Sequence, residues 1–292
     1  MIQDFGKWPE SSWTSSEIDW KQAESITAGV DVGTTSTQAV IIVDGALFGY
    51  ANLHTESDFG GAADTAIERA MGHTGMTLND IGNIAATGFG SKNVTCATKQ
   101  LDEIQCHGKG ARFMFGGNVK TVVDLGGQFT KAITLYNWDR VREFKVNDKC
   151  ATGLGRNIET MSNLFQVPIV EMGKKSLDVA KDPEPVSTTC YAFAETEAMG
   201  LFRQGFREDK YTENDVLASY LFTIAWRALS TIGKLAPLDI GDIQLESEIG
   251  FTGGLAKNEG VTKRLERELK MTALSSDIDP QLAGAIGAAL LA

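Results

Sequence analysis

From residue 26 onward, short apolar runs alternate with turns rich in glycine, threonine and aspartate. ITAGVDVG, TQAVIIVD and ALFGYANL are three such runs in succession, which predicts an antiparallel meander of β-strands. A polar helix around residues 61–75 and a strand, IGNIAATG, are predicted next. KTVVDLGG, KAITLYN and VREFKVN then repeat the three-run arrangement. The chain therefore begins a second domain in the way it begins the first.

The second half of the chain has a helical period instead. Leu154, Ile158, Met161 and Phe165 recur at helical spacing after Cys150, as do Ala194, Ala198, Leu201 and Phe202 after Cys190, where Gly205 is predicted to end the helix. The segment 215–236 predicts a long buried helix. FTGGLAKN predicts a strand, a glycine turn and a helix start. The closing helix PQLAGAIGAALLA has small residues (Ala283, Gly284, Gly287, Ala288) that permit close approach of another element.

An internal repeat supports the duplication. DVGTTSTQAVI (31–41) and DLGGQFTKAIT (124–134) share Asp, Gly, Thr and Ala at the same offsets: Asp31/Asp124, Gly33/Gly126, Thr37/Thr130 and Ala39/Ala132. We predict a first domain from residues 26–118 plus 279–292 and a second from residues 119–278. Residues 1–25 form an N-terminal extension whose Trp8, Trp13 and Trp20 are either interface anchors or parts of a strap packed on its own domain.

Composition narrows the functional classes. A length of 292 residues suits two domains, and the net charge of −11 argues against a nucleic-acid partner. No apolar run is long enough for a membrane span, and the N-terminus lacks the pattern of a secretory signal. Four cysteines in a chain of this size do not form a disulfide framework. These features predict a cytoplasmic protein whose cysteines are thiols or metal ligands.

The two matched Asp-x-Gly turns and the distant Thr-Gly-Gly turn predict a nucleotide site. Glycines let backbone N–H groups approach phosphate oxygens, and threonine hydroxyls add donors. Carboxylates can hold Mg²⁺ through water. A single Asp-x-Gly turn is more often only a hairpin, but two copies together with FTGG favour a site that clamps phosphates.

These motifs resemble the superfamily of sugar kinases, actin and heat-shock chaperone ATPases. The resemblance implies an α/β fold of duplicated actin-like, ribonuclease H-like domains, with mixed sheets flanked by helices and ATP bound in the cleft between the two domains. DVGTTST and DLGGQFT look like the two phosphate loops, and FTGGLAKN like the adenosine turn. By that resemblance Asp31 and Asp124 bind Mg²⁺ through water. The implied nucleotide contacts are Gly33, Thr34, Thr35, Thr37, Gly126, Gly127, Gly253, Gly254 and Lys257.

Gln128 and the pair Glu195 and Glu197 can each be interpreted in two ways. Gln128 either positions the attacking water, as glutamine does in some NTPases, or only hydrogen-bonds the turn. Glu195 and Glu197 either couple helix position to the nucleotide state or form a solvated helix face. Cys96 and Cys106 are predicted to be structural, because no second His or Cys pair accompanies Cys106 and His107.

Cys150 and Cys190 each stand at the start of a predicted helix, after polar residues able to cap it (Asp148, Thr188, Thr189). Helix N-termini favour thiolates. Their spacing does not fit a C-x₂-C motif, and a 4Fe–4S cluster needs four ligands where one chain offers two. A two-fold arrangement of chains supplies the missing pair.

A narrower resemblance is carried by NDKCATGLGR, STTCYAFAETEA, TGFG, DLGGQFTKAI and FTGGLAKN. Together they resemble the ATP-dependent electron-activating family, which includes activators of 2-hydroxyacyl-CoA dehydratases and ATPase subunits of benzoyl-CoA reductases. The resemblance implies an ATPase dimer that shares one 4Fe–4S cluster through Cys150 and Cys190 and passes electrons from reduced ferredoxin to a catalytic partner. Many relatives have Asp where this chain has Phe129.

The tryptophan-bearing extension and DEIQCHGKGA favour a benzoyl-CoA reductase subunit paired with a homologous, different chain. The alternative within the family is a homodimeric activator of a 2-hydroxyacyl-CoA dehydratase. Two alternatives outside it are a small-molecule kinase of the same fold and a nucleotide-gated interaction module.

Overall fold

The computed structural model describes residues 4–136, 140–147, 153–188, 190–208, 210–232, 246 and 248–292. Two compact units are formed. Unit I comprises residues 9–122, 133–143 and 274–292, and unit II comprises residues up to 8, 123–132 and 144–273. The predicted division at residues 119 and 279 differs from these limits and stays a prediction of domain boundaries.

Unit I contains a six-stranded mixed sheet. Its strands are β1 (Ser11–Thr14), β2 (Ile26–Val32), β3 (Ser36–Val43), β4 (Ala46–His54), β5 (Asn83–Thr87) and β6 (Lys99–Gln100), and its helices are α1 (Phe59–Met71), α2 (Glu103–Phe115) and α8 (Ala283–Leu291). The strand order is β1-β4-β3-β2-β5-β6. β2, β3 and β4 pair antiparallel, which confirms the predicted meander, and β5 lies parallel to β2.

The side chains of each strand alternate between the two faces of this sheet, and a different helix covers each face. Ile41 and Val43 of β3 join the core under α1, whereas Val40 and Ile42 of the same strand pack with α8. Because successive side chains point to opposite faces, a strand covered on both sides is apolar on both, as β3 is from Ala39 to Val43. α1 begins after Asp58, which accepts the Gly61 N–H. The helix therefore starts two residues before the predicted start near residue 61.

α8 lies unusually close to its neighbours in unit I, as its small residues predict. A Cβ atom on Gly287 would stand 1.8 Å from the Cys106 carbonyl oxygen, and one on Gly29 of β2 would stand 2.1 Å from the Ala285 carbonyl oxygen. Real Cβ atoms do not approach oxygen so closely. The glycines therefore set the packing distance of this helix against β2 and α2.

Unit II is mainly helical around one large core. The chain has a four-stranded sheet with the order β10-β7-β8-β9, from β7 (Thr121–Leu125), β8 (Thr130–Leu135), β9 (Val141–Val146) and β10 (Ile249–Thr252). The helices of unit II are α3 (Leu154–Phe165), α4 (Ile169–Leu177), α5 (Tyr191–Glu208), α6 (Glu213–Ile232) and α7 (Glu259–Leu269). Every apolar position predicted for α3 is buried, and Ala194 and Ala198 of α5 are fully buried.

The prediction that Gly205 ends the helix after Cys190 is wrong. α5 continues to Glu208. A Cβ atom on Gly205 would stand 2.1 Å from the Tyr211 carbonyl oxygen. Glycine is used here for close approach of the chain that follows the helix, and sequence alone does not separate this use from a helix stop.

The N-terminal segment packs on its own chain. The Phe5 N–H donates to Asn163 Oδ1 (2.8 Å), and the Phe5 carbonyl accepts from Ser162 Oγ (2.6 Å) and from the Ile169 N–H (2.9 Å), all within unit II. In unit I, residues 11–14 form the edge strand β1 along β4. Of the two interpretations of the extension, these contacts favour the strap.

None of the helices within the described residues is both long enough and apolar enough to cross a membrane bilayer.

Candidate functional site

The first predicted phosphate loop follows β2 and is closed by one backbone hydrogen bond. The Gly33 N–H donates to the Ser36 carbonyl at 2.9 Å. Thr34 and Thr35 are partly exposed in this turn. Thr37 instead lies inside β3, fully buried, with its Oγ1 2.6 Å from Thr55 Oγ1. The loop thus presents Thr34 and Thr35 at its surface, while the Thr37 hydroxyl is engaged in the fold.

Asp31, at the end of β2, lies between two glycines. A Cβ atom on Gly88 would stand 2.3 Å from Asp31 Oδ1, and one on Gly284 would stand 2.0 Å from Oδ2. Asp31 is 7% exposed, and His107 Nε2 lies 3.9 Å from Oδ2. Backbone therefore surrounds Asp31 closely, which fixes the carboxylate at the base of the first loop. The sequence predicted neither the glycine cradle nor the histidine neighbour.

The second predicted phosphate loop repeats the geometry of the first. The Gly126 N–H donates to the Phe129 carbonyl at 3.0 Å, the same three-residue offset as in the first loop. A Cβ atom on Gly33 or Gly126 would stand 2.8 Å from the accepting carbonyl oxygen in each case. The repeat seen in the sequence is therefore also a repeat of turn structure. Because Phe129 closes the turn with its carbonyl, the turn does not depend on which side chain stands there.

Asp124 is the most enclosed carboxylate of the site. It is 1% exposed. Its Oδ2 accepts from Lys131 Nζ at 2.8 Å and its Oδ1 accepts from Thr252 Oγ1 at 3.1 Å. Thr252 belongs to the FTGG turn, so the second phosphate loop and the predicted adenosine turn meet at this carboxylate. Lys131 is a site residue that the sequence analysis missed, since a single lysine in a strand gives no periodic signal.

The predicted adenosine turn lies between β10 and α7. Gly253 has φ of +85°, and a Cβ atom there would meet the Leu125 carbonyl oxygen at 2.5 Å, so this position requires glycine for both reasons. Gly254 and Lys257 bound the single helical turn that follows. Lys257 Nζ lies 5.2 Å from the centre of the Trp8 ring, a cation–π contact that ties the turn to the N-terminal segment.

α3 begins directly on the second phosphate loop. The Gly153 N–H donates to the Gln128 carbonyl (2.7 Å), and the Arg156 N–H donates to the Gly127 carbonyl (3.1 Å). Gly155 faces Gly127 so closely that a Cβ atom would stand 2.8 Å from the Gly127 Cα. The loop and the helix that follows Cys150 in sequence are therefore mechanically joined. Cys150 and Asp148 themselves lie outside the described residues.

Cys190 immediately precedes α5, as predicted. The Ala194 N–H donates to the Cys190 carbonyl at 3.0 Å, which opens the helix, and the residue is half-buried. Cys190 therefore stands at the positive end of an 18-residue helix. A half-buried cysteine at a helix N-terminus fits a ligand of a metal–sulfur cluster, and among the described residues Cys190 is the one cysteine next to a helix start of unit II.

The two glutamates after Cys190 differ in their surroundings. Burial raises the pKa of Glu195. Glu197 Oε2 accepts the Ser187 N–H at 2.7 Å and so holds the chain that leads to Cys190. The coupling role predicted for this pair stays a prediction.

The other two described cysteines lie in unit I and have a different character. Cys106 is fully buried, and burial raises the pKa of its thiol to about 12. Burial also raises the pKa of Cys96. Thiols of this kind are poor metal ligands, because a ligand must be a thiolate. No group of three or more metal-ligating side chains occurs in the described part of the chain.

Comparison with known proteins identifies relatives over nearly the whole chain. The model of the BadF/BadG/BcrA/BcrD ATPase family matches residues 28–292. The "activator of lactoyl-CoA dehydratase" of Anaerotignum propionicum is 34% identical, covering 91% of this chain and 96% of the relative. The "(R)-2-hydroxyglutaryl-CoA dehydratase activating ATPase" of Acidaminococcus fermentans is 32% identical (91% and 96%). One of the benzoyl-CoA reductase subunits of Thauera aromatica is 26% identical (91% and 92%).

Solved structures confirm the predicted fold class. The activator of the 2-hydroxyisocaproyl-CoA dehydratase from Clostridium difficile with bound ADPNP has a TM-score of 0.79 and 29% identity, covering 91% of this chain and 94% of that chain. A ROK family glucokinase from Streptomyces griseus has a TM-score of 0.54 at 15% identity, covering 92% of this chain and 99% of that chain, a likeness of fold alone.

Proposed function

Since the chain belongs to the BadF/BadG/BcrA/BcrD ATPase family, and is therefore an ATPase, we propose that it activates a 2-hydroxyacyl-CoA dehydratase by ATP-driven electron transfer. The three relatives named above as dehydratase activators are 29–34% identical, against 26% for the benzoyl-CoA reductase relative. These values support the dehydratase alternative better than the reductase interpretation favoured by the sequence. The N-terminal extension does not favour the reductase interpretation, because it packs on its own chain.

The nucleotide is ATP with Mg²⁺. Asp31 and Asp124 would hold the ion through water, because their carboxylate oxygens accept hydrogen bonds from the waters that Mg²⁺ keeps as ligands. Both carboxylates are buried and fixed, Asp31 by the glycine cradle and Asp124 by Lys131 and Thr252. Mg²⁺ supplies charge neutralisation at the phosphates when it is bound. The repeated loop geometry is the observation that carries this part of the proposal.

The remaining nucleotide contacts follow from the loops. Backbone N–H groups and hydroxyls at Gly33, Thr34, Thr35, Gly126 and Gly127 bind phosphate oxygens, and Gly253, Gly254 and Lys257 bind adenosine. Thr37 contributes by holding the first loop through Thr55. Gln128 orients the attacking water with its side chain, as glutamine does in some NTPases.

Cys190 and Cys150 bind a 4Fe–4S cluster shared between two chains. When bound, the cluster stores and releases one electron at low potential. One chain offers two ligands, so the working unit is a dimer, and the dehydratase-activator alternative makes it a homodimer. Because α3 begins on Gly127 and Gln128, a change at the second phosphate loop on hydrolysis shifts the helix that follows Cys150. Reduced ferredoxin is the electron donor, and the catalytic dehydratase is the acceptor.

Anaerobic purification followed by iron and sulfide analysis tests the cluster. We expect about four irons per dimer, loss of iron in Cys190→Ser, and retention in the control Cys96→Ser. A colourless, iron-free wild-type dimer contradicts the cluster.

Activation assays test the ATPase role and the choice of partner. The chain, reduced by titanium(III) citrate, is mixed with ATP and either a 2-hydroxyacyl-CoA dehydratase or the catalytic subunits of a benzoyl-CoA reductase. We expect activation of the dehydratase only, and near-complete loss of activation in Asp124→Asn with iron content intact. The exposed Asp64→Asn on α1 is the matched control. Activation of the reductase alone overturns the choice of partner.

A further inference from the structure

Three side chains of α6 form a regular series of hydrogen bonds to the segment that leads to Cys190. Ser219 Oγ donates to the Glu184 carbonyl (2.6 Å), and Thr223 Oγ1 donates to the Val186 carbonyl (2.9 Å). Arg227 Nη2 donates to the Thr188 carbonyl (2.9 Å). The donors are four residues apart on the helix, and the acceptors are two residues apart on the segment. We call this series the α6 ladder.

The two spacings match for a geometrical reason. Four residues of an α-helix rise about 6 Å. Two residues of extended or polyproline-type chain span about 6.2 to 6.6 Å. Pro183 and Pro185 favour such extended backbone and have no N–H to satisfy. The segment 184–188 can therefore lie along α6 with each second carbonyl opposite a donor one helical turn further on.

The last donor of the ladder reaches both sides of Cys190. Arg227 bonds the Thr188 carbonyl before the cysteine, and its guanidinium carbon lies 4.5 Å from the centre of the Tyr191 ring after it. Arg227 is 4% exposed, so these contacts form in a protected environment where polar interactions are strong. A guanidinium has five donors in one rigid plane, which allows it to donate at an edge while its face stacks on a ring. A lysine ammonium is a compact point charge and lacks this planar arrangement of donors.

We propose that the α6 ladder positions the Cys190 sulfur, and that Arg227 is its decisive positioning residue. The inference rests on the proposed function, in which Cys190 ligates the cluster. The ladder fixes the backbone on the N-terminal side of the ligand, α5 fixes it on the C-terminal side, and Arg227 joins the two. Arg227 also contacts the residues on both sides of Cys190, and the polar surroundings of a cluster, including hydrogen bonds to its sulfurs, are among the factors that would set its reduction potential.

Hydrogen exchange in the full-length chain without cluster tests the ladder directly. Arg227→Lys keeps the charge but loses the planar fork, and Thr223→Val keeps the shape but loses the hydroxyl. We expect either change to speed amide exchange in residues 186–194 by about fivefold, the factor that corresponds to one hydrogen bond of average strength. Thr231→Val is the matched control, because the Thr231 hydroxyl donates to the Arg227 carbonyl within α6 itself.

The pattern of exchange separates positioning from general stability. The ladder requires faster exchange in residues 186–194 with unchanged exchange in residues 26–54 of unit I, and no local change in Thr231→Val. Equal acceleration in both regions, or no acceleration in Arg227→Lys and Thr223→Val, overturns it. If Arg227→Lys does not fold, Thr223→Val alone decides the outcome.

A second measurement uses the reconstituted dimer. We expect Arg227→Lys to release iron to a chelator at least about fivefold faster than wild type, by the same reasoning, and to shift the reduction potential. Thr231→Val should match wild type in both. A wild-type dimer without iron refutes the proposed function but leaves the exchange result standing. Iron-loaded wild type with unchanged release and potential in Arg227→Lys refutes only the role of Arg227.

Discussion

Replacing Lys131 by methionine should lower the free energy of unfolding by about 3–5 kcal/mol, because it leaves the Asp124 carboxylate without its cation in a buried site. Lys131 Nζ lies 2.8 Å from Asp124 Oδ2, and the two side chains are only 5% and 2% exposed. At an effective dielectric constant of about 20, two unit charges at that distance attract by about 6 kcal/mol. Desolvation of both ions offsets part of that attraction.

A double-mutant cycle isolates this pair from the rest of the site. Asp124→Asn alone should also destabilise, since it leaves the Lys131 ammonium buried opposite a neutral amide. The double variant buries neither charge, and the amide oxygen still accepts from Thr252. We therefore expect the two single losses to exceed the double loss by at least about 2 kcal/mol.

Urea unfolding, followed by far-UV circular dichroism and tryptophan fluorescence, provides the measurement. Equal m-values across the four chains show that the free energies are comparable. The exposed Lys92→Met is the control, and should stay within about 0.5 kcal/mol of wild type. A coupling energy below about 0.5 kcal/mol between Lys131 and Asp124 would refute the reasoning.

Three further predictions concern other parts of the chain. Gly287→Ala should lower the free energy of unfolding by about 1–3 kcal/mol or more, because its Cβ would meet the Cys106 carbonyl at 1.8 Å. The control Gly117→Ala, whose Cβ would lie in open space, should be neutral in the same urea assay. Equal stabilities of the two variants would contradict the close packing of α8. Burial raises the pKa of Glu159 from 4.5 to about 7, so its stabilising contribution is full below pH 4.5 and is lost as the pH rises through 7. Glu159→Gln should therefore be more stable than wild type at pH 8.5, by at most about 3 kcal/mol, and a difference that does not shrink towards pH 4 contradicts this. Iodoacetamide at pH 8 should alkylate Cys190 and spare the native Cys106 thiol; equal rates by mass spectrometry disprove the assigned burial.

The sequence predicts those elements of the fold whose apolar residues repeat at the spacing of a strand or a helix. β3 is apolar from residue 39 to residue 43 because both of its faces are covered there, and the spacing of Leu154, Ile158 and Met161 specifies the buried face of α3. The small residues of α8 also allow a prediction from sequence, because close packing of a helix requires small side chains. Gly205 misleads because one residue type serves both as a helix stop and as a point of close approach.

The candidate site is predictable only where its residues belong to a motif. Asp31, Asp124 and the loop glycines are recognised because the motif occurs twice. Lys131 and Arg227 are single charged residues within a strand and a helix, and only the folded chain shows that each one is buried against a specific partner. The docking of Phe5 depends on hydrogen bonds to its backbone, which leave no trace in the side-chain pattern.

The position of α8 in unit I has a consequence for the order of folding during synthesis. β2, at residues 26–32, packs against a helix at residues 283–291, so one face of the first strands lacks its cover for almost the entire time of translation. Every segment of unit II precedes residue 274, so that unit can complete its core while unit I still waits. Contacts of such long sequence separation fold slowly, and the exposed apolar strands are prone to association in the interval. Unit I is therefore where chaperone binding to the nascent chain is expected.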